Sequence, residues 1–180
     1  PLGRMQDAAR RMGRLVQDIL ALARARAGPG SFETVALSEA VAAAAADFRE
    51  DLAREGGVLE VGPLPAVRGD PGQLQRLFAN LLSNALKFRR PGVPPCIKVS
   101  ASGARGGPVE VEVADNGIGF EEAHARRIFE PFQRLHRRTD YEGSGLGLAV
   151  CASIAARHGG SVRARGVPGE GAVFTVTLPA

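Results

Sequence analysis

Apolar residues return every seventh position at the start of the chain. Leu2, Ala9, Val16 and Ala23 form one row and Met5, Met12 and Ile19 a second, while Arg4, Asp7, Arg10, Arg11, Arg14 and Asp18 take the other face. That spacing predicts a helix over 2–27 with a seam that needs a partner helix. A helix packed on its own domain would also carry an apolar stripe, but the run "AGPGS" at 27–31 stops the helix and separates it from the remainder of the chain. The pattern favours a dimerising or bundle helix at 1–27 and a separate domain at 28–180.

Beyond the linker the periodicity alternates between strand and helix. "FETVAL" predicts a short strand, and Ser38 a cap for a helix running through the alanine-rich stretch to Arg54. "VLEV" and "PAVRG" predict two short strands. In "DPGQLQRLFANLLSNALKF", Asp70 is placed to cap a long helix to about Phe88, with Pro71 just inside and Gln73 three residues on. "PCIKVSAS" and "PVEVEVAD" alternate as paired strands around the turn "GARGG". A short helical stretch, a loop rich in glycine and arginine, a helix over about 145–158 and the strands "SVRARG" and "AVFTVTLP" complete the chain. The order predicts an α+β, two-layer α/β sandwich: a mixed, mostly antiparallel sheet with helices on one face, preceded by the heptad-bearing helix.

Composition narrows the class. With 180 residues and 44% hydrophobic content the chain can bury a core. Lys and Arg number 23 against 19 acidic residues, a net charge of +4 and a pI near 9.8, which fits an anionic ligand or a basic surface. Aromatics make up 5% with no Trp, which argues against a nucleic-acid groove. Cys96 and Cys151 stand far apart without metal-ligand spacing and read as small core residues. No apolar run reaches the roughly 20 residues that span a bilayer, so no membrane segment and a cytoplasmic location are expected. The opening "PLG" lacks Met and reads as the cut end of a longer chain.

Three stretches carry candidate chemistry. On the long helix Asn80, Asn84 and Lys87 fall at i, i+4 and i+7, a polar stripe on a helix otherwise covered by Leu77, Phe78, Leu81, Leu82, Ala85 and Phe88. Neutral Asn oxygens can hold Mg²⁺ and leave it free to take phosphate oxygens, and Lys87 can meet phosphate as a point charge; a solvated face would look the same. In "DNGIGF", Asp115 closes a strand and Gly117 and Gly119 permit a tight turn. A buried carboxylate there would accept from the exocyclic amine of adenine and reject guanine's carbonyl, whereas Asp-Asn-Gly is also common turn chemistry. "GSGLGLAV" sets Gly143, Gly145 and Gly147 at a helix start, where free N–H groups and the dipole attract phosphate, or where a loop merely ends.

In this order, with "FEPF" at 129–132 between them, these segments resemble the ATP-binding catalytic domain of sensor histidine kinases. That domain belongs to a superfamily shared with gyrase, the Hsp90 chaperones and mismatch-repair ATPases. "NLLSNALKF" resembles the N box, "DNGIG" the first glycine box, "FEPF" the F box and "GSGLGLAV" the second glycine box. The resemblance implies an enzyme, a histidine protein kinase that uses ATP and Mg²⁺, with Asn84 as metal ligand, Asn80 and Lys87 beside it, and Asp115 on the adenine. It adds Gly117, Gly119 and Phe120 from the first box and Gly143, Ser144, Gly145, Leu146 and Gly147 from the second. It makes 120–143 a mobile ATP lid whose Arg134, Arg137 or Arg138 reaches phosphates; within that segment the residues themselves offer few core anchors beyond Ile128, Phe129, Phe132 and Leu135.

The N-terminal stretch resembles the second helix of the dimerisation and phosphotransfer hairpin, and "FQRLHRRTDYEGSGLGLAV" and "RHGG" resemble the phytochrome-like branch. The implied partners are the chain's own upstream phosphotransfer helix, a second protomer and a response regulator. None of His124, His136 and His158 has the acceptor's sequence context, and each reads as a surface or helix-terminal residue. The acceptor helix and sensory domains are therefore expected upstream, and no receiver domain behind. Val173 stands where the family commonly carries Thr near the adenine, which places one water-mediated contact in question. Two other readings are a degenerate kinase serving as nucleotide-binding scaffold and an ATPase clamp of the same superfamily. Intact motifs argue against the first, the heptad helix and the absence of a transducer domain against the second.

Overall fold

The structure, a computed structural model, describes residues 12, 13, 16, 19, 20, 23, 32–103, 107–133, 135 and 144–179. Most of the predicted N-terminal helix and the linker, the centre of the "GARGG" turn, Arg134, His136, Arg137, Arg138 and Gly143 lie outside the described residues. The six described positions before residue 32 are helical and exposed, and Met12, Val16, Ile19 and Leu20 are among them.

From Glu33 onward the chain forms the predicted α+β sandwich. The strands are β1 (Glu33–Ala36), β2 (Val58–Val61), β3 (Ala66–Gly69), β4 (Cys96–Ser102), β5 (Val109–Asp115), β6 (Ser161–Val167) and β7 (Gly171–Leu178). The helices are α1 (Leu37–Ala46), α2 (Arg49–Arg54), α3 (Pro71–Lys87) and α4 (Gly147–Arg157), with short 3₁₀ turns at Glu122–His124 and Arg127–Phe129. Five strands make the main sheet in the order β2-β4-β5-β7-β6, all antiparallel except the parallel β2–β4 pair, and β1 and β3 form a separate antiparallel pair.

The period-2 pattern sets the faces of the sheet. Val109, Val111 and Val113 of β5 and Ala172, Phe174, Val176 and Leu178 of β7 point into the core with Ile97 and Val99. Glu110 and Glu112 alternate to the other side, where Arg163 forks onto Glu110 at 2.8 and 3.0 Å and Lys98 meets Glu60 at 3.2 Å. An antiparallel sheet with one wet face is the expected result of that alternation. Among the described residues from Glu33 onward, the helices pack on the apolar face. Of these α3 contributes most, burying Leu74, Leu77, Phe78, Leu81, Leu82, Ala85 and Leu86. At about 1.5–3 kcal/mol for each large side chain, this row dominates the core.

The start of α3 matches the sequence closely. Asp70 Oδ1 accepts from the Gln73 N–H at 3.1 Å, the Gln73 amide returns a bond to Asp70 Oδ2 at 3.1 Å, and Pro71 opens the helix. Two expectations are corrected further upstream. Ser38 caps nothing, because the helix already begins at Leu37, whose N–H donates to the Pro65 carbonyl at 3.2 Å. The helix expected to run unbroken to Arg54 divides at Asp47 and Phe48, and Phe48 and Leu52 both pack on the core.

The reading of His158 as a helix-terminal residue is half the story. It caps α4, but it is also buried. Its Nδ1 lies 2.8 Å from the Ile154 carbonyl, its Nε2 accepts from the Asp70 N–H at 3.0 Å, and its ring stacks on Phe32 at 4.7 Å. The bonds select the neutral tautomer with hydrogen on Nδ1. One imidazole thus joins the end of α4, the cap of α3 and the chain entering β1. His158→Ala leaves the Asp70 N–H without its acceptor and opens a cavity beside Gly69, and should cost about 2–4 kcal/mol in urea unfolding. A loss under about 1 kcal/mol would remove this junction from the interactions that hold the domain together.

Candidate functional site

Asp115 stands at the last position of β5, paired with Ile97 on one side and Ala172 on the other. Its carboxyl is half-buried, and its Oδ1 accepts the Gly117 N–H at 2.8 Å. No cation pairs with it among the described residues. Burial strips water from the charged form and holds the carboxyl above the usual carboxylate range, while backbone hydrogen bonds from Gly117 and Ala172 pull the other way. A desolvated carboxylate with backbone partners and no neutralising cation is costly to keep, which is the mark of a functional group.

The loop after Asp115 can only be glycine at two places. A Cβ on Gly117 would lie 2.5 Å from the Phe88 carbonyl oxygen and 2.7 Å from Asp115 Oδ1. Gly119 has φ +64° and would drive a Cβ into the Val167 carbonyl. Just before them Asn116 is locked to the neighbouring strand, its Oδ1 accepting from the Cys96 N–H at 2.8 Å and its Nδ2 donating to the Pro94 carbonyl at 3.0 Å. Phe120 lies over Gly166 and against Phe174, which packs it, half-buried, on the edge of the core beside the loop.

Asn80, Asn84 and Lys87 share one face of α3, as predicted, and all three are half-buried. Asn80 reaches across to α4, its Nδ2 donating to the Gly147 carbonyl at 3.2 Å. The Lys87 ammonium lies 4.6 Å over the Phe88 ring. The Asn84 side chain makes no hydrogen bond to another described residue, so its amide oxygen is open to a ligand.

The second glycine segment divides by cause. Gly145 has φ +74°, and its carbonyl accepts the Phe132 N–H at 2.9 Å, so the fold itself demands glycine there. Ser144 Oγ accepts the Leu146 N–H at 3.2 Å, and Leu146 is buried as the plug before α4. Gly147, the first residue of α4, is different: a Cβ would sit 3.6 Å from Asn80 Oδ1, an ordinary contact. Packing does not require glycine at 147, and its bare Cα leaves the helix N-terminus open to an anion.

Three expectations change. Phe132 and Leu135 are no anchors, because both are exposed and Phe132, 61% so, holds a positive φ of 65°, an outlier for a bulky residue, while Ile128 is buried and Phe129 packs on the core. Val173 pairs with Ala114 and points to the wet face of the sheet, so the residue beside the Asp115 carboxyl is Ala172. Cys96 is half-exposed rather than a core residue; Cys151 is buried, and burial pushes its thiol up to about 12. Sequence reasoning missed Arg90 altogether. Its Nε donates to the Asn116 carbonyl at 2.8 Å and its Nη1 to the Gly169 carbonyl at 2.9 Å, and "FRRPG" gives no sign of either.

Because the folded state raises the Asp115 pKa, it binds that proton more tightly than the unfolded chain does. The ligand-free domain therefore loses stability from this group as pH rises above the ordinary value of 3.8 through the raised one. Asp115→Asn, which cannot ionise, should melt no lower than the parent at neutral pH, and the gap between the two should close on acidification. A variant that melts well below the parent at pH 7 would show that the carboxylate stabilises the fold instead.

Residues 69–180 match the family described as Histidine kinase-, DNA gyrase B-, and HSP90-like ATPase. The Phytochrome-like protein Cph1 of Synechocystis sp. is 37% identical over 169 residues, 93% of this chain and 22% of that protein. The Sensor protein KdpD of Escherichia coli K12 is 33% identical over 168 residues, 92% of this chain and 18% of that one. Among solved structures, full-length ShkA in complex with AMPPNP superposes with a TM-score of 0.77 at 33% identity, covering 92% of this chain and 35% of ShkA. The Mycobacterial sensor histidine kinase MprB gives 0.72 at 28% identity over 83% of this chain and 97% of that structure. The chain spans about a fifth of the length of these two curated relatives. With the Asp115 loop, the polar face of α3 and the open start of α4 in one fold, the chain belongs to the histidine kinase-, gyrase B- and HSP90-like ATPase family and carries the catalytic-domain fold of sensor histidine kinases.

Proposed function

We propose that this domain binds Mg·ATP and donates the γ-phosphoryl group to a histidine on a separate phosphotransfer helix. The observation that carries the reading is the Asp115 carboxyl, desolvated, fixed by the Gly117 N–H and unpaired with any cation among the described residues. Its free acceptor capacity suits the exocyclic amine of adenine. The N–H groups at the open start of α4 suit phosphate oxygens, and Lys87 adds a cation on the facing helix. Asn84 offers a neutral oxygen that fits Mg²⁺, a metal that keeps most of its shell for water and phosphate. When bound, Mg²⁺ neutralises charge on the phosphates. This chain's residues supply position and fixed dipoles, which is most of what phosphoryl transfer asks of a protein. Arg134 and Gly143, outside the described residues, belong to the same proposal as phosphate contacts.

In the whole protein the reading extends to a cytoplasmic homodimer in which the 1–27 helix pairs with its hairpin partner and a response regulator receives the phosphoryl group. The family relationship and the heptad spacing support that extension.

Calorimetry should find Mg·ATP bound at least about tenfold more tightly than Mg·GTP, since a carboxylate built to accept from an amine is left facing a carbonyl by the wrong base. Asp115→Asn should lose that preference. Equal affinity for the two nucleotides would take Asp115 out of base recognition. Labelled ATP should give no stable label on this chain alone, and acid-labile, base-stable label on a separately made hairpin that carries the acceptor histidine. Label on His124, His136 or His158 of this chain would overturn the donor-only reading.

A further inference from the structure

We infer that Arg90 is a positioning residue of the nucleotide site, its guanidinium fixing the loop that presents Asp115 to the base, which rests on the reading of Asp115 as the base-recognising group. Five of the six backbone N–H and C=O groups of residues 116–118 have partners among the described residues. The Asn116 N–H donates to the Cys96 carbonyl at 3.3 Å, the Gly117 N–H to Asp115 Oδ1 at 2.8 Å, and the Ile118 N–H to the Phe88 carbonyl at 2.9 Å. The Ile118 carbonyl accepts the Gly169 N–H at 2.7 Å. The Asn116 carbonyl, next to Asp115 itself, is taken by Arg90 Nε. Among the described residues, Arg90 is thus the side chain from a distant segment that bonds the backbone of this turn.

The second half of the fork matters as much. Arg90 Nη1 donates to the Gly169 carbonyl, and Gly169 is the residue whose N–H already holds Ile118. Gly169 sits at φ +80° after Pro168 in the tight turn between β6 and β7, where the Glu170 N–H closes back on the Val167 carbonyl at 3.0 Å. That turn supplies the Val167 carbonyl that lies over Gly119. One guanidinium therefore joins three segments: the end of α3, the Asp115 loop and the β6–β7 turn. A planar fork with donors in fixed directions can span two carbonyls on different segments, which a lysine ammonium cannot do as rigidly. Arg89, its neighbour, turns away to Glu55 at 2.8 Å and to the Leu86 carbonyl at 3.1 Å. It is a natural control, a half-buried arginine at the same helix end whose side-chain bonds go to neither the loop nor the turn.

The test is calorimetric titration of the 180-residue chain with Mg·ADP and Mg·ATP, beside Arg90→Ala, Arg90→Lys, Arg89→Ala and Asp115→Asn. Arg90→Ala should weaken both nucleotides by the same factor, about tenfold, because the base end of the site is disturbed and the phosphate end is not. Arg90→Lys should fall between it and the parent, and Arg89→Ala should bind like the parent. In ligand-free protein, amide exchange at Gly117 and Ile118 should quicken in Arg90→Ala and stay unchanged in Arg89→Ala. If Arg90→Ala does not fold, Arg90→Lys carries the same comparison. Parental affinity and parental loop exchange in a folded Arg90 variant would overturn the inference, as would equal losses in the Arg90 and Arg89 variants. Undiminished binding by Asp115→Asn would instead overturn the site reading beneath it.

Discussion

The backbone between Asp115 and Gly119 passes so close to two other pieces of backbone that there is no room for side chains at its tightest points. The Phe88 carbonyl blocks a Cβ at Gly117, and the Val167 carbonyl blocks one at Gly119. The rest of the site depends on this crowding. It brings the end of α3, with Asn84 and Lys87 on its last two turns, against the end of β5, and it forces the β6–β7 turn over the same loop. Glycine here is an entropic cost of roughly 1 kcal/mol per residue against alanine in a regular element, offset by hydrogen bonds that no other residue would allow.

Crowding also explains how Asp115 can be kept in a setting that disfavours its charge. A carboxylate free to swing would turn to water. This one is held by a bond to the N–H two residues on and is flanked by two strand neighbours. Stability and binding then pull in opposite directions at one residue, since the desolvation that raises its pKa is also what would make an accepted hydrogen bond count. Sites of this kind commonly give up stability for function.

How far the sequence is legible depends on how local each signal is. The capped start of α3, its buried row and its polar stripe were readable because a helix writes its contacts at fixed spacing, and the strand faces because a sheet alternates. The break at Asp47 and Phe48 carries no glycine or proline to announce it, and both Phe48 beside it and Leu52 after it pack on the core, contacts that local sequence does not display. His158 and Arg90 were illegible for the same reason. Their partners lie 88, 26 and 79 residues away in sequence, at Asp70, Asn116 and Gly169. At Val173 residue type alone misleads, because the register that turns it to the wet face depends on which strand pairs with which.

The two helices that face the site are tied by a bond that bears on both of its ends. Asn80 donates its amide to the carbonyl of Gly147, so the polar stripe of α3 is anchored to the first residue of α4. Had a larger residue stood at 147 the contact would survive, since a Cβ there meets Asn80 at an ordinary distance. What the glycine preserves is the open approach to the N–H groups of α4, and what Asn80 preserves is their distance from Asn84, one turn further along α3. The base end of the site is fixed by glycines that the fold demands. The anion end is kept open by a glycine it does not.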